Sequence, residues 1–257
     1  MSPLPVISVV TVVLNNVEHI QRTVESVIGQ SYPKIEYIVI DGGSKDGTVD
    51  ILNKFTEYIS ILISEPDKGL YDAMNKGTNL ATGEWIIYMN SGDRLYDSTV
   101  LSRIFIDNYH KIMDTSFIYT DAIAELKYSS KRITPRNIRW TWIRNLAVHQ
   151  STIVKTSLAK EKRFNLKYEI AADYDFVRYA YTHGAKFLYL DDVCLSICNA
   201  YEGVSKTANP FKILWQASVI SIKYAKIHQI IIIILVNIIT LFYALLIVRF
   251  RRLFNKI

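Results

Sequence analysis

The sequence has few of the residues that build disulfide frameworks or zinc sites. Its 257 residues include two cysteines, Cys194 and Cys198, with no second cysteine pair and no nearby histidine cluster. A cysteine-rich secreted fold and a structural zinc site are therefore excluded, and we expect reduced thiols, with one disulfide as the alternative. The first residues lack a basic segment followed by an apolar core and a cleavage site. We therefore expect the N-terminal domain to stay in the cytoplasm.

Two common phosphate-binding signatures are also missing. The turn-rich segment GGSKDGT at 42–48 lacks the Gly-Lys-Ser/Thr ending of a P-loop, and no G-x-G-x-x-G follows the first apolar run. These absences disfavour a P-loop nucleoside triphosphatase and a Rossmann-type dinucleotide dehydrogenase. Lysine and arginine are dispersed through the first two hundred residues without a recognised nucleic-acid-binding module, so we expect no nucleic-acid partner.

Apolar residues are abundant, and their distribution is uneven. Hydrophobic residues make up 50% of the chain and charged residues 21%, and the mean hydropathy is +0.13, which excludes intrinsic disorder. Residues 230–248 are almost unbroken in apolar character, with Asn237 and Thr240 as the clearest polar interruptions. A helix of that length is about 28 Å long, close to the roughly 30 Å hydrocarbon thickness of a bilayer.

This segment has three possible placements. It could span a membrane, lie in the plane of a lipid surface with its flanking basic residues against anionic headgroups, or be a buried helix of a soluble fold. The first two placements predict a catalytic domain at 1–208 and a membrane-associating segment at 209–257. The net charge of +6 suggests an anionic partner without selecting nucleotide, lipid or nucleic acid.

The first hundred residues alternate between strand and helix patterns. Continuous apolar, β-branched runs predict buried strands at 6–14, 35–40, 59–63 and 85–89, and helical spacing predicts helices that include one at 70–80. Asn15 or Asn16 is expected to cap the first helix, and Gly29 to end it. This alternation predicts an α/β fold with a mostly parallel sheet. Ligands of such sheets bind at the carboxyl ends of the strands, here 11–15, 41–46, 65–68 and 90–93.

Four segments together resemble a known family. They are VISVVTVVLNN at 6–16, SVIGQSYPKIEYIVIDGGSKDGT at 26–48, SEPDKGLYDAMNKGTNLATGEWIIYMNSGD at 64–93, and AADYDF at 171–176. The chain resembles the inverting family 2 glycosyltransferases, which have the Rossmann-like GT-A nucleotide-diphospho-sugar fold. Within that family it is most similar to bacterial enzymes that build exopolysaccharide, capsule and O-antigen repeat units, including the colanic acid type.

The resemblance implies a nucleoside diphosphate sugar donor, such as a UDP- or GDP-sugar. Many family members have a second aspartate at the position of Gly42, where it usually contacts uracil, so the identity of the base stays open. The substrate-binding residues that the resemblance implies are Val12, Leu14, Asn15, Asp41, Gly42, Ser44, Asp46, Asp67, Lys68, Asp72, Asn75, Asn90, Ser91, His149 and Gln150.

The metal and the catalytic base also follow from the resemblance. The family's Asp-x-Asp motif falls on Asn90 and Gly92, which leaves Asp93 as the carboxylate for Mg²⁺ or Mn²⁺. These ions need few protein carboxylates when phosphates supply other oxygens. Asp173 matches the general base, which takes the proton of the attacking hydroxyl. Asp175 is expected to be structural, in a cap or a salt bridge.

His149 and Gln150 fall in the acceptor region of the family, although His149 could equally be structural. Trp140 and Trp142 could form a platform for a sugar ring or lipid, with core packing as the alternative, and the loop at 202–205 resembles one that closes over the substrates. The resulting hypothesis is an inverting transferase at the cytoplasmic face of the plasma membrane, acting on a hydroxyl of a lipid-linked saccharide. The alternatives are a sugar nucleotidyltransferase and a non-catalytic, membrane-bound assembly partner.

Overall fold

The computed structural model describes residues 4–200 and 209–254, with side chains up to residue 240. The predicted loop at 202–205 and the domain boundary after residue 208 lie outside the described residues. The strands are β1 (Ile7–Val13), β2 (Ile35–Asp41), β3 (Ile61–Ser64), β4 (Trp85–Tyr88), β5 (Arg94–Leu95), β6 (Phe117–Glu125), β7 (Ser130–Ile133), β8 (Thr152–Lys155) and β9 (Phe187–Asn199).

The helices lie between these strands and after the last of them. They are α1 (Ile20–Ile28), α2 (Thr48–Asn53), α3 (Leu70–Leu80), α4 (Val100–Ser102), α5 (Tyr109–Ile112), α6 (Thr156–Lys162), α7 (Ala172–Thr182), α8 (Pro210–Lys223) and α9 (Ile227–Phe254). A π-helical turn (Arg103–Asp107) joins α4 to α5, and two short 3₁₀ turns occupy Ile138–Trp140 and His149–Ser151. The four strands and the helix at 70–80 expected in the first hundred residues are confirmed, with ends shifted by one or two residues.

The predicted cap of α1 is wrong. The helix begins at Ile20, and no side chain caps it. Asn16 contributes its main-chain carbonyl, which accepts hydrogen bonds from the backbone N–H groups of His19 and Ile20. Asn15 adopts a positive φ of 47°, and its side chain contacts a neighbouring loop instead. Gly29 ends the helix as expected, donating its N–H to the carbonyl of Glu25.

The sheet is mixed and not mostly parallel. Its order is β3-β2-β1-β4-β8-β6-β9-β5, and β7 pairs with β6. Strands β1 to β4 are parallel to one another, whereas β8 runs antiparallel to both β4 and β6. Strands β6 and β7 are joined by residues 126–129 only, which is too short for the crossover that a parallel pair needs. The parallel strands expected from the alternation are β1 to β4, and the second half of the chain adds the parallel pair of β6 with β9.

Both faces of the sheet are covered. All seven residues of β1 are buried, and their side chains alternate between two apolar clusters, with Val9 and Val13 in one and Val10 and Val12 in the other. Residues of α1 belong to the first cluster, and residues of α3 and α7 to the second. The continuous apolar run of β1 is thus explained by burial on two sides.

The C-terminal helices differ in how they contact the rest of the protein. Helix α8 buries Gln216, Ile220 and Ser221, and Ile220 belongs to the cluster that contains α7. Several α9 side chains before residue 241 are exposed. Within the described chain, no helix combines the length and apolar character needed to cross a membrane. The predicted spanning segment is therefore not supported, and the side chains of 241–248 lie outside the described ones.

Candidate active site

A cavity of about 680 Å³ opens at the carboxyl ends of β1 and β4, a volume typical of small-molecule sites. It is lined by side chains from segments that are far apart in the sequence. Among the predicted site residues, those lining it are Val12, Leu14, Asn15, Asp67, Asn90, Ser91, Asp93, His149, Gln150 and Asp173. The predicted residues absent from its lining are Asp41, Gly42, Ser44, Asp46, Lys68, Asp72 and Asn75.

Asp41 organises the loop after β2. Its fully buried carboxylate accepts hydrogen bonds from the N–H groups of Gly43 and Ser44, each at 3.0 Å. The hydroxyls of Ser44 and Ser64 also donate to it, at 2.5 and 2.6 Å. Four donors satisfy this buried anion, so Asp41 holds the loop in shape.

The loop after β2 is joined directly to the loop after β1. The N–H of Asn15 donates to Ser44 Oγ at 2.7 Å, and the N–H of Lys45 donates to Asn15 Oδ1 at 2.9 Å. Asp46 Oδ2 accepts the N–H of Val17 at 3.0 Å. These bonds fix the two loops relative to each other at the rim of the cavity.

Asp67 lies beside Gly42 although the two residues are 25 positions apart. A Cβ atom on Gly42 would be 2.5 Å from Asp67 Oδ2, so a side chain at position 42 would displace that carboxylate. The N–H of Gly69 donates to Asp67 Oδ1 at 2.7 Å. The structure thus has a carboxylate next to position 42, supplied from another segment, which the sequence pattern did not reveal.

The remaining predicted residues of this region stabilise α3. Asp72 Oδ2 accepts the N–H of Lys68 at 2.9 Å, in the turn that precedes the helix. The side-chain amide of Asn75 forms two hydrogen bonds with the main chain of Phe164. Asn75 Nδ2 donates to the carbonyl at 2.9 Å, and Asn75 Oδ1 accepts the N–H at 2.8 Å. These contacts connect α3 to the segment after α6.

Asp93 is almost completely buried. Its Oδ2 accepts from Gln150 Nε2 at 2.7 Å, and its Oδ1 accepts the N–H of Asn199 at 2.7 Å. Burial raises the pKa of Asp93 even though both hydrogen bonds oppose the shift. Two oxygens next to it, Asn90 Oδ1 and Ser91 Oγ, are buried without a hydrogen-bond partner among the described residues.

These oxygens fit a hard divalent cation that takes its other ligands from a diphosphate. Asp93, and Asn90 through its unpartnered Oδ1, are the candidates to hold it. No cluster of three or more His, Cys, Asp or Glu side chains suitable for a metal exists within the described residues. Gly92 has φ +98°, a conformation that side chains with a Cβ rarely adopt. The backbone therefore accounts for the missing carboxylate at position 92.

His149 is in contact with Asn90. Asn90 Nδ2 lies 2.9 Å from His149 Nε2, so the amide and the imidazole are paired. Burial lowers the pKa of His149, with Asp173 and Asp93 acting in the opposite direction. His149 therefore contacts Asn90 and lines the same cavity as Asp173.

Asp173 lies in the first turn of α7. Its Oδ1 is 3.2 Å from the hydroxyl of Tyr71, and its Oδ2 accepts from Asn145 Nδ2 at 2.8 Å. Burial raises the pKa of Tyr71 well above its usual range, so the phenol stays protonated. Its single O–H proton is shared between Asp173 Oδ1 and the carbonyl of Ile170, which lies 2.9 Å away. The sequence singled out neither Tyr71 nor Asn145, because their contacts with Asp173 depend on how separate segments pack.

Asp175 points away from the cavity, and its predicted structural role is confirmed. The fully buried carboxylate forms ion pairs with Lys162 at 2.5 Å and Lys223 at 2.9 Å. Although burial acts to raise the pKa of Asp175, hydrogen bonds from both lysines lower it below the usual value. The pair with Lys223 attaches α8 to α7.

The loop before His149 is aromatic and basic. The rings of Trp140 and Trp142 stack with their centroids 6.0 Å apart, and Trp140 is exposed. Arg136, Arg139 and Arg144 are all exposed. These aromatic and basic residues belong to the same loop between β7 and β8 as Asn145, the partner of Asp173.

Comparison with known proteins identifies the family of the chain. The family model for glycosyl transferase family 2 matches residues 8–149. The chain belongs to glycosyl transferase family 2. A PGL/p-HBAD biosynthesis glycosyltransferase of Mycobacterium bovis is 28% identical over 216 residues, which cover 79% of this chain and 80% of the relative. An uncharacterised glycosyltransferase of Mycobacterium tuberculosis is 32% identical over 181 residues, covering 69% of each.

Solved structures give the same fold. S. aureus TarS in complex with UDP-GlcNAc matches with a TM-score of 0.66 and 18% identity over 84% of this chain and 66% of that one. A mannosyltransferase of Pyrobaculum calidifontis in complex with GDP-Man and Mn²⁺ matches with a TM-score of 0.68 and 16% identity, covering 88% and 66%. The chain is therefore a family 2 glycosyltransferase with a GT-A-like α/β fold and a mixed sheet. The similarity to colanic acid enzymes stays a prediction.

Proposed function

We propose that this family 2 glycosyltransferase is inverting and transfers one sugar from a nucleoside diphosphate sugar to a hydroxyl of a saccharide in cell-surface polysaccharide biosynthesis. The observation that carries the proposal is Asp173, a carboxylate in the cavity held by two neutral donors. Asp93 and Asn90 line the same cavity. UDP, UDP-GlcNAc and GDP-Man bound to the solved relatives support a UDP- or GDP-sugar as donor.

In the proposed reaction, Asp173 removes the proton of the acceptor hydroxyl as its oxygen attacks the anomeric carbon. A single displacement breaks the bond to the diphosphate and inverts the anomeric configuration. Asp93 and Asn90 would hold Mg²⁺ or Mn²⁺, which when bound would neutralise charge on the departing diphosphate. Tyr71 and Asn145 orient the carboxylate of Asp173, and the joined loops after β1 and β2 form the donor side.

The acceptor is proposed to be a saccharide on a lipid phosphate. None of Arg136, Arg139 and Arg144 forms an ion pair with another residue in the described part of the chain. An anionic group on the acceptor would complement these cations, and the exposed Trp140 offers an apolar face for a sugar ring or lipid. Asn145, next in the chain to Arg144, contacts Asp173, so this surface adjoins the base.

We place the enzyme at the cytoplasmic face of the plasma membrane, attached through the surface of its C-terminal helices. Exposed apolar side chains of α8 and α9 support this: Phe211, Trp215, Ile227, Ile231, Ile238 and Ile239. Such a surface is suited to lie against lipid. Replacing Ile231, Ile238 and Ile239 with Ser should reduce sedimentation with anionic vesicles. Equal binding of variant and parent would contradict the attachment.

A product assay tests the reaction. The enzyme is incubated with UDP- and GDP-sugars, Mn²⁺ and a lipid-phosphate saccharide. Release of nucleoside diphosphate with formation of an inverted glycoside supports the proposal. In a parallel incubation with nucleoside triphosphate and sugar 1-phosphate, release of pyrophosphate with formation of a nucleotide sugar would instead identify a nucleotidyltransferase. Nucleotide binding without turnover would identify a non-catalytic assembly partner.

A further inference from the structure

Helix α8 contributes a buried amide to the start of the helix that carries the candidate base. Gln216 is 1% exposed, and its Oε1 accepts the N–H groups of Ile170 at 3.1 Å and Ala171 at 3.2 Å. The residue at the N-cap of α7 is Ala171, and no side chain of α7 caps the helix. Backbone N–H groups at a buried helix start require an acceptor, and α8 supplies it.

The same backbone segment is held from its other side by α3. The hydroxyl of Tyr71 lies 2.9 Å from the carbonyl of Ile170 and 3.2 Å from Asp173 Oδ1, and it shares its one proton between these two acceptors. Gln216 thus fixes the N–H of Ile170, and Tyr71 contacts both its carbonyl and the carboxylate of Asp173. A continuous series of contacts leads from α8 to the base.

Helix α8 is fastened to α7 at further points along its length. The hydroxyls of Tyr174 and Ser221 lie 2.9 Å apart, and Lys223 pairs with Asp175. Arg178 donates to the carbonyl of Tyr224 at 2.9 Å. Because these contacts lie on one side of α7, they hold Gln216 Oε1 opposite the N–H groups at the start of that helix.

We propose that Gln216 is a positioning residue for the transfer reaction, which sets the place of Asp173 through the backbone at 170–171 and Tyr71. The inference rests on the proposed role of Asp173 as the base. It assigns a part in the reaction to α8, which lies outside the residues 8–149 that the family model matches.

The test variant is Gln216→Met, which removes the acceptor with little change in side-chain length or helix propensity. We expect kcat to fall about 10- to 100-fold, since a small displacement of a catalytic group costs that much, while the KM for the donor stays unchanged. Hydrogen exchange at the amides of Ile170 and Ala171 should accelerate. Gln216→Glu retains an acceptor oxygen and should restore most of kcat.

Two control variants separate positioning from stability. Ile220→Ala loosens α8 at a fully buried residue and leaves the acceptor oxygen of Gln216 in place, so it should lower the melting temperature with kcat retained. Gln229→Met makes the same chemical change at the residue whose Oε1 accepts the N–H of Lys226, and should leave kcat unchanged. Unchanged kcat in Gln216→Met, or an equal loss in Ile220→Ala at matched stability, would overturn the proposal.

The outcome is distinguishable from failure of the proposed function. If the parent enzyme transfers sugar and Asp173→Asn abolishes transfer, the reaction stands whatever Gln216→Met shows. If the parent releases no nucleoside diphosphate with any donor, the proposed reaction fails and the positioning role falls with it.

Discussion

The two sides of the cavity are held together in different ways. On the donor side, two loops that follow neighbouring parallel strands bond directly to each other, as in the contacts of Asn15 with Ser44 and of Val17 with Asp46. On the base side, Asp173 depends on Tyr71 from α3 and Asn145 from a loop. Its helix start depends on Gln216 from α8.

Because of this difference, we expect substitutions on the donor side to change mainly stability and nucleotide binding, and substitutions on the base side to change mainly kcat. The donor side is fixed by buried, fully paired groups such as Asp41, so its loss should appear as lower stability and weaker nucleotide binding. The base side is fixed by a few contacts between distant segments, so its loss should appear in kcat. Each of the following predictions tests that division.

The largest effect is expected for Asp173→Asn. Replacing the carboxylate removes the proton acceptor, and a general base typically contributes about 10²- to 10⁴-fold to the rate. Nucleotide binding and the free energy of unfolding should stay near those of the parent. Steady-state transfer kinetics with calorimetric nucleotide binding measure both, and full activity would contradict the mechanism.

Asp41→Asn should show the opposite pattern. The substitution places an NH₂ group among the N–H donors of a buried site, and losing such charged hydrogen bonds costs about 3 kcal/mol. Urea unfolding should report this loss, together with a weaker affinity for nucleoside diphosphate. Asp50→Asn, at an exposed position of α2, is the matched control and should stay within about 0.5 kcal/mol of the parent.

Tyr71→Phe is expected to lower kcat about 10-fold, since a hydrogen bond to a charged group contributes roughly 1.5 kcal/mol or more. Donor KM should hardly change. Tyr88→Phe is the control, because the buried Tyr88 hydroxyl contacts Thr78 at 2.6 Å, away from Asp173. Similar losses of kcat in both variants would show that the effect comes from loss of a buried hydroxyl in general, and would contradict a specific role of Tyr71 at Asp173.

Lys223→Met should have the smallest effect. The lysine is 41% exposed, so removing its ion pair should cost at most about 1 kcal/mol at pH 7. Because the pKa of the paired Asp175 is lowered in the folded protein, the ion pair contributes its full stabilising free energy at pH values above the usual pKa of aspartate. This contribution disappears as the pH falls through the lower pKa that Asp175 has in the folded protein. Urea unfolding of both proteins at pH 7 and pH 2.5 would measure the difference, and a constant difference would contradict it.

Much of the donor side could be predicted from the sequence. The apolar run of β1 requires burial on both faces, and neighbouring parallel strands bring their carboxyl ends together. That rule alone placed Leu14, Asn15, Asn90 and Asp93 at one cavity. It could not show which side chains face inward, and Asp41 and Asp46 instead hold their loop.

The second half of the sheet could not be predicted in the same way. Strand β8 enters between β4 and β6 in the antiparallel direction, and this pairing joins residues more than thirty positions apart. The start of α1 at Ile20 was also missed, because the side chains of the asparagines before it bond to loops and do not cap the helix. Local patterns carry no information about such distant partners.

The sequence by itself determined the resemblance to family 2 glycosyltransferases, the parallel first half of the sheet and the residue types at its carboxyl edge. Periodicity and turn residues act over a few positions, which is why these features are readable along the chain. Only the tertiary structure decided which groups hold Asp173. Tyr71, Asn145 and Gln216 meet its helix through packing between segments separated by 28 or more residues, and the energies of those contacts exist only once the segments are folded together.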